Sequence, residues 1–417
     1  MGKKRKKLPK ALLVLALCVT CVFSFGGCSS IILGQLVGAL EGSGSKTDAN
    51  KNENGTATTD ESFLEKKNYI QSLVDYYFWQ ETDKEALYDG MYKGMMEALG
   101  DPYSCYYTKE EYAQLMESVE GVYCGIGALV SQNATTKVIT IVRPFVNGPA
   151  YNAGMLPGDI LTEIDGEDIS TWDINLAVKH MKGEQGTQVS LKVWRPSESR
   201  YIEMTVTRDL IEVETVSYQM LEDEIGYIYV MEFDDITTQQ FETAYKNLLA
   251  QGMKGLVIDI RDNPGGLLTT VSDMLDLFLD KGTIVYTIDK YEHKEVISAK
   301  KGKVDLVPMT VIVNGNSASA SEIFSGALQD YGLATILGTQ SFGKGIVQSI
   351  IPLSDGSAVK MTVSRYFTPN GVCIHGTGIT PDVVVELDEE LRTKVVVPLE
   401  EDNQVQAAIK NVKSKMK

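Results

Sequence analysis

The sequence predicts a multidomain α/β protein: a helical segment, then a compact β domain, then an alternating α/β core. Three changes of pattern along the chain carry that prediction. Residues 63–118 place apolar side chains at three- and four-residue steps, as in "LEKKNYIQSLVDYYFW" and "EALYDGMYKGMMEALG". Residues 119–208 turn to strand-type runs such as "KVITIVRPF" and "TQVSLKVWR". From residue 209 to 395 strands alternate with helices, the signature of a buried, partly parallel sheet with crossover connections. A chain of 417 residues is long enough for two or three cores of this kind.

Within the helical segment, Gly100-Asp101-Pro102 stops one helix and "KEEYAQLMESV" starts another. The methionines and aromatics on these faces are expected to be core. In the β domain, "GDILTEIDGEDI" reads as strand, Asp-Gly turn, strand, and "DINLAVKHMKG" as a short helix closed by glycine. The core opens with "GYIYVMEF", "TTQQFETAYKNLLAQG" and "GLVIDIRDNPGG", and later runs through "MTVIVN", "ATILG" and "SAVKMTVSRYFT". Residues 396–417 are charged and are expected to form a solvated helical tail.

The amino terminus reads as an export signal. Six of the 39 basic residues lie within the first ten positions, and no acidic residue occurs before Glu41. The apolar run "ALLVLALCVTCVFSF" follows, and positive charge before such a run stays on the cytoplasmic side. As a helix its fifteen residues reach roughly 22 Å, short of the ~30 Å hydrocarbon core. Small residues before Cys28 in "FGGCSS" fit a bacterial lipoprotein cleavage site, although Phe25 fits it poorly. The competing readings are an uncleaved anchor running on through "IILGQLVGAL" and simple secretion. Each places the later domains outside the cytoplasm, with residues 1–28 as signal or anchor. Residues 29–62 follow as a linker, and most of it, "EGSGSKTDANKNENGTATTDES", has almost no large apolar side chain.

The net charge of −17 excludes nucleic acid as the main partner, since phosphate binding needs clustered Lys and Arg. Cys105, Cys124 and Cys373, with no CxxC and no neighbouring His, make neither a metal site nor a disulfide framework. Three buried thiols are expected. No metal, nucleotide or cofactor motif is present.

One stretch invites chemistry. "NGNSASASEIFSG", residues 314–326, lies between a strand-like and a helix-like run, so its serines sit at a turn that projects past a sheet edge. Such a turn also exposes backbone N–H groups with partial positive charge. Both features suit a nucleophile attacking a carbonyl. Ser317, Ser319 and Ser321 are equal candidates on this ground. Ser319 to Glu322 also reads as an S-x-x-E capping box, which needs no catalysis at all. The Pro-Gly-Gly of "VIDIRDNPGGLL" is a second such turn, where glycines let a ligand approach backbone donors of the kind an oxyanion hole uses.

A base is less obvious, because the chain holds only His180, His293 and His375. Lys344 in "SFGKGIVQ" stands alone in an uncharged run. Lysine is ordinarily protonated at neutral pH, and to act as a base it must be made neutral by burial. Lowering its pKa by three units costs about 4 kcal/mol, which a large core tolerates. Ser–Lys pairs are known variants of the serine triad.

In order and spacing, "LGDPYSCYYTKEEY", "GIGALV", "GPAYNAGMLPGDILTEIDG", "RDNPGGLL", the serine stretch, "GTQSFGKGIVQ" and "HGTGITPD" resemble the carboxyl-terminal processing peptidases, or tail-specific proteases, over residues 63–390. The resemblance implies a ClpP/crotonase-like serine protease core at 209–395, with an inserted PDZ-like β domain at 119–208 and an N-terminal helical cap or dimerisation segment at 63–118. It implies Ser319 as nucleophile, Lys344 as general base and Gln348 as the residue orienting that lysine. The Ala320 amide and a glycine of Gly265-Gly266, preferably Gly265, match the oxyanion hole. Glu322 matches a supporting polar position, and His375 a structural one. In the PDZ module, Gly125, Ile126 and Gly127 match the carboxylate cradle and the helix at 174–182 the other groove wall. Arg143 matches an arginine that couples peptide capture to assembly of the protease site.

The function implied is a membrane-associated serine endopeptidase that takes proteins or peptides with exposed C-termini and uses no cofactor, with a homodimer as one assembly. Two alternatives stand beside it: an idle PDZ-type peptide-binding scaffold, and a crotonase-like acyl-transforming enzyme.

Overall fold

The computed structural model describes residues 60–300, 304–392, 394 and 397–416. The export signal, the Cys28 site and most of the linker lie outside the described residues. Among the described residues, no helix is long and apolar enough to cross a membrane.

The helix Asp60–Tyr77 forms a unit apart from the rest. None of its residues is buried, and Phe63, Leu64, Ile70 and Tyr76 are exposed. In the helix Lys84–Glu97 only Met96 is buried. The apolar steps that predict these helices do not become core as expected, because among the described residues nothing covers most of their faces.

The α/β core is built on a six-stranded sheet in the order 216–220, 225–230, 255–259, 309–313, 334–338, 383–384. The first pair is antiparallel and the others parallel. Because side chains alternate along a strand, each strand feeds two cores. Ile228, Ile258, Val311 and Ile336 face the helices Thr237–Ala250, Leu268–Asp276 and Ala320–Asp330. Tyr227, Val257, Ile312 and Leu337 face the other side. There they meet Val405, Ala408 and Val412 of the helix Asn403–Lys415, all fully buried. The C-terminal segment is therefore a covering layer of the sheet and not the solvated tail its charges predict. Its three apolar positions, spaced three and four apart, supply the buried stripe.

A second sheet carries the strands Cys105–Tyr107, Gly282–Asp289, Lys294–Ala299, Ile346–Pro352 and Ala358–Phe367. The first of these interrupts the segment that reads as wholly helical and pairs with 358–367, Tyr106 opposite Val359. The helix Lys109–Glu120 follows, opened by a Thr108/Glu111 capping box and closed by Gly121 at φ 67°.

The β domain has the strands 128–132, 139–144, 160–164, 188–195 and 200–207 in that spatial order, all antiparallel, with the helices Pro149–Asn152 and Ile174–Met181. The strand Ala128–Gln132 is an edge. The paired strands Val122–Gly125 and Asp209–Glu212 stand where the chain enters and leaves the domain. Cys105, Cys124 and Cys373 are free thiols, half-buried instead of buried.

Candidate active site

Two crossover turns meet at the carboxyl ends of the parallel strands. Asn263 joins them. Its side chain donates to the Val230 carbonyl at 3.0 Å and accepts the Gly265 N–H at 2.9 Å. Its carbonyl accepts the Ala318 N–H at 3.0 Å and the Ser321 hydroxyl at 2.9 Å.

These contacts separate the three serines. Ser321 spends its hydroxyl on Asn263. Ser317 donates to the Ile260 carbonyl at 2.8 Å and accepts the Asn314 N–H at 2.9 Å. Both are fully buried. Ser319 is half-buried and lines a pocket of about 250 Å³. Its backbone is strained, with φ 56° and ψ −112°, a region a non-glycine residue enters only when its surroundings hold it there. Three contacts do so. The Ser319 N–H donates to Glu322 Oε2 at 2.9 Å, its carbonyl accepts the Glu322 N–H at 2.9 Å, and the same carbonyl accepts the Tyr366 hydroxyl at 3.0 Å. The carboxylate half of the capping box thus forms, Glu322 to the Ser319 N–H, while the Glu322 N–H goes to the Ser319 carbonyl and leaves the hydroxyl of the candidate nucleophile out of the cap.

The oxyanion donors differ from the expectation in one respect. The Gly265 N–H already serves Asn263. Gly266 lines the pocket beside Ser319 and Ala320, and neither its N–H nor that of Ala320 has a partner among the described residues. Of the two glycines it is Gly266, and not the expected Gly265, whose N–H is open to the pocket. Gly265, at φ 110°, is required for another reason: a Cβ there would stand 2.7 Å from the Ala318 carbonyl oxygen and 2.8 Å from Ser319 Cβ.

Glu322 links the serine turn to the lysine loop. It is fully buried and accepts four hydrogen bonds. Besides the Ser319 N–H, these come from the Ser341 hydroxyl at 2.5 Å, the Gly343 N–H at 2.7 Å and the Lys344 N–H at 2.8 Å. The backbone of Lys344 is therefore fixed to the same carboxylate that holds Ser319.

The Lys344 side chain does not complete the dyad. Among the described residues no hydrogen bond joins its amine to Ser319. The amine lies 4.5 Å from the centre of the Tyr103 ring, and Gln348 donates to the Thr362 hydroxyl at 3.4 Å instead of meeting the lysine. Burial, and then the nearby Lys360 ammonium, hold the Lys344 pKa below the ordinary lysine range, against the opposing pull of Asp101 and Glu322. Tyr103 belongs to the turn at 101–104, where Ser104 donates to Asp101 at 2.5 Å and accepts the Thr362 N–H at 3.0 Å. Sequence reasoning finds this turn as a helix stop and misses it as a neighbour of the lysine. Tyr366 is missed too, because its contact lies 47 residues away.

No histidine lines the serine pocket. His180 packs on Trp172, and His293 pairs with Asp289. His375 is exposed, in a segment whose backbone packs against Gly343 and Gly345 beneath the lysine loop. Among the described residues no cluster could hold a metal ion.

In the β domain, the Ile126 and Gly127 carbonyls are bonded to Ala150 and Phe145 while the N–H groups of both residues make no backbone hydrogen bond. Gly125 is buried and Gly127 has φ 68°. With the free edge 128–132, this is a shape that accepts an added strand and a carboxylate. Arg143 is exposed, 3.9 Å from Glu214 and 5.4 Å from the Phe145 ring centre.

The chain is similar in sequence to known proteins. The profile of peptidase family S41 matches residues 224–385, a PDZ domain profile matches 140–195, and that of the activating protease CtpB N-terminal domain matches 27–111. A carboxy-terminal-processing protease of Bartonella bacilliformis is 40% identical over 310 residues, 73% of this chain and 70% of that protein. The carboxy-terminal processing protease CtpA of Bacillus subtilis is 37% identical over 337 residues, 80% of this chain and 71% of its own length. A probable CtpA-like serine protease of Staphylococcus saprophyticus is 35% identical over 354 residues, 84% of this chain and 71% of its own length. The crotonase-like and idle-scaffold alternatives give way to these matches. The chain belongs to peptidase family S41, as a carboxy-terminal processing serine protease with a PDZ domain.

Proposed function

We propose that Ser319 attacks the scissile carbonyl of a peptide whose C-terminus is held by the PDZ domain, with Lys344 as general base and an acyl-enzyme as intermediate. The observation that carries this reading is the state of the serine turn. Of three neighbouring hydroxyls only that of Ser319 is unspent, and it stands beside the open N–H groups of Gly266 and Ala320. A tetrahedral oxyanion there gains two donors that the ground-state carbonyl meets less well. Lys344, neutral when it arrives, takes the hydroxyl proton and later returns it to the leaving amine. Gln348 then turns from Thr362 to orient the amine. Water hydrolyses the acyl-enzyme in a second step.

The protein works at the extracytoplasmic face of the membrane, held by an acylated Cys28 or by an uncleaved anchor; the basic cluster and apolar run support this. A homodimer through the N-terminal helices is supported by the exposed Phe63, Leu64, Ile70 and Tyr76.

The test is turnover of unstructured C-terminal peptides by wild type, Ser319→Ala and Lys344→Ala, each checked for folding by thermal melting. Both variants are expected to lose at least about 10⁴-fold in kcat. Equal turnover by Ser319→Ala removes the reading. Mass analysis of the mature N-terminus separates lipid from anchor.

A further inference from the structure

Asp234 stands where two cavities meet. One is the pocket of Ser319. The other, of about 850 Å³, lies between the helix Lys109–Glu120 and the PDZ helix Ile174–Met181. Among the described residues, Asp234 is the single residue lining both. It is 8% exposed. Its backbone is bonded, N–H to the Thr237 hydroxyl at 3.0 Å and carbonyl to the Thr237 N–H at 3.0 Å. Its carboxylate accepts no hydrogen bond and pairs with no cation among the described residues. No side-chain oxygen among the described residues is both sealed from solvent and unpartnered, so the Asp234 carboxylate opens to the cavities; so enclosed and with no fixed partner, it favours a ligand that supplies one.

The surrounding charges narrow what that partner is. Glu232, two residues earlier, lines the larger cavity with Asp234. From the helix above come Glu110 and Glu117. The cations lining these cavities are Lys179, Lys182 and Lys360, and none is paired with Asp234. Lys182 is paired with Glu117 and lies 4.8 Å from the Tyr123 ring centre, and Lys360 lies 5.3 Å from that of Tyr107. Lys179 is at the PDZ wall of the larger cavity. Toward Ser319 the wall beside Asp234 has hydrocarbon from Leu115, Val119 and Leu267, and the same pocket is also lined by Gln348, Tyr366 and Lys360. A side chain that suits this place has an aliphatic stem and a positive end.

We propose that Asp234 is a specificity-determining residue that receives the ammonium or guanidinium of a substrate lysine or arginine, whose stem lies along Leu115, Val119 and Leu267. This rests on the reading of the Ser319 pocket as the cleavage site. The substrate tail then carries a basic residue near the scissile bond, between the bond and the part held by the PDZ domain or immediately around it.

Burial, and then Glu232, push the Asp234 pKa up to about 6. The carboxylate is thus charged above that value and neutral well below it, so the preference for a cation fades as pH falls.

The experiment compares peptides identical except for one residue, lysine or the uncharged norleucine, placed in turn at each position flanking the scissile bond. The quantity read is the ratio of kcat/KM for the two, which cancels the pH dependence of the base itself. For wild type at about pH 8, one position is expected to favour lysine about tenfold or more, the range of a hydrogen bond to a charged group. The ratio is expected to fall toward one in Asp234→Asn, to persist in Asp234→Glu, and to fall in wild type between about pH 8 and pH 5. If Asp234→Asn does not fold, the wild-type pH series decides. Turnover with a ratio near one at every position, or an equal ratio in Asp234→Asn, overturns the inference and leaves the protease reading standing. Absence of turnover for every peptide removes that reading, and the inference with it.

Discussion

The serine side and the lysine side of the site are in different states. On the serine side every group is placed: Ser317, Ser321 and Asn263 are spent on structure, Ser319 is held at a strained φ, and two N–H donors stand open. On the lysine side only the backbone is placed. Glu322 takes the Gly343 and Lys344 N–H groups, while the amine rests over Tyr103 and Gln348 is engaged with Thr362. On the proposed mechanism, the contrast makes Ser319 and the two open N–H groups the part already in place and the Lys344 side chain the part still to be placed. With its backbone already anchored, the expected assembly is a swing of the long lysine stem without rebuilding of the loop. An ammonium is attracted to a ring face, so the Tyr103 seat favours the protonated, idle form.

The largest test of this contrast falls on the group both sides share. Glu322→Gln leaves one acceptor oxygen where four donors converge, and sets an amide against donors. It is expected to lower stability by about 3 kcal/mol, since buried donors are left unpaired. Activity is expected to fall further than folding explains, by about 10² in kcat, because the serine turn and the lysine loop lose their common anchor. Near-wild-type kcat in the folded variant would show that the two sides do not depend on Glu322.

A middle-sized effect belongs to the seat of the amine. A ring face stabilises the ammonium by about 1 kcal/mol, so its removal lowers the lysine pKa by somewhat less than one unit. The sign follows: the neutral base appears at lower pH, and the acid limb of the kcat/KM–pH profile, which reports the free enzyme, moves down in Tyr103→Leu. Tyr103→Phe keeps the ring and is expected to keep the limb. A limb that moves equally in both variants assigns the effect to the hydroxyl.

The smallest effect is expected at Arg143. Its pair with Glu214 is exposed and long, worth about 0–1 kcal/mol, so Arg143→Ala leaves the melting temperature within about two degrees. If Arg143 also couples PDZ occupancy to the site, kcat for C-terminal peptides falls while stability does not. An unchanged kcat reduces it to a surface arginine.

Much of this was legible in the sequence because it is local. Strand runs such as "GLVID" and "MTVIV", the Pro-Gly-Gly turn and the capping box at Ser319 are each written within a few residues. What was not legible is set by long-range contacts. The choice among three serines rests on partners 57 and 58 residues away, at Ile260 and Asn263. The competition of Asn263 for the Gly265 N–H cannot be read from two adjacent glycines. The strand Cys105–Tyr107 is three residues long, and its pairing with 358–367 decides it where helix periodicity pointed elsewhere. At the C-terminal helix the charges dominate the pattern, yet Val405, Ala408 and Val412 decide its burial.

The central claim is that Lys344 reaches Ser319 by side-chain rotation alone, from a backbone Glu322 already holds. A structure of Ser319→Ala with an uncleaved C-terminal peptide bound tests it most directly. The account predicts the Lys344 amine off the Tyr103 ring and within about 3.2 Å of the place the Ser319 hydroxyl occupies in wild type, with the Gly343 and Lys344 N–H bonds to Glu322 unchanged. A peptide-bound site in which the amine still lies over Tyr103, or in which the loop has left Glu322, contradicts it.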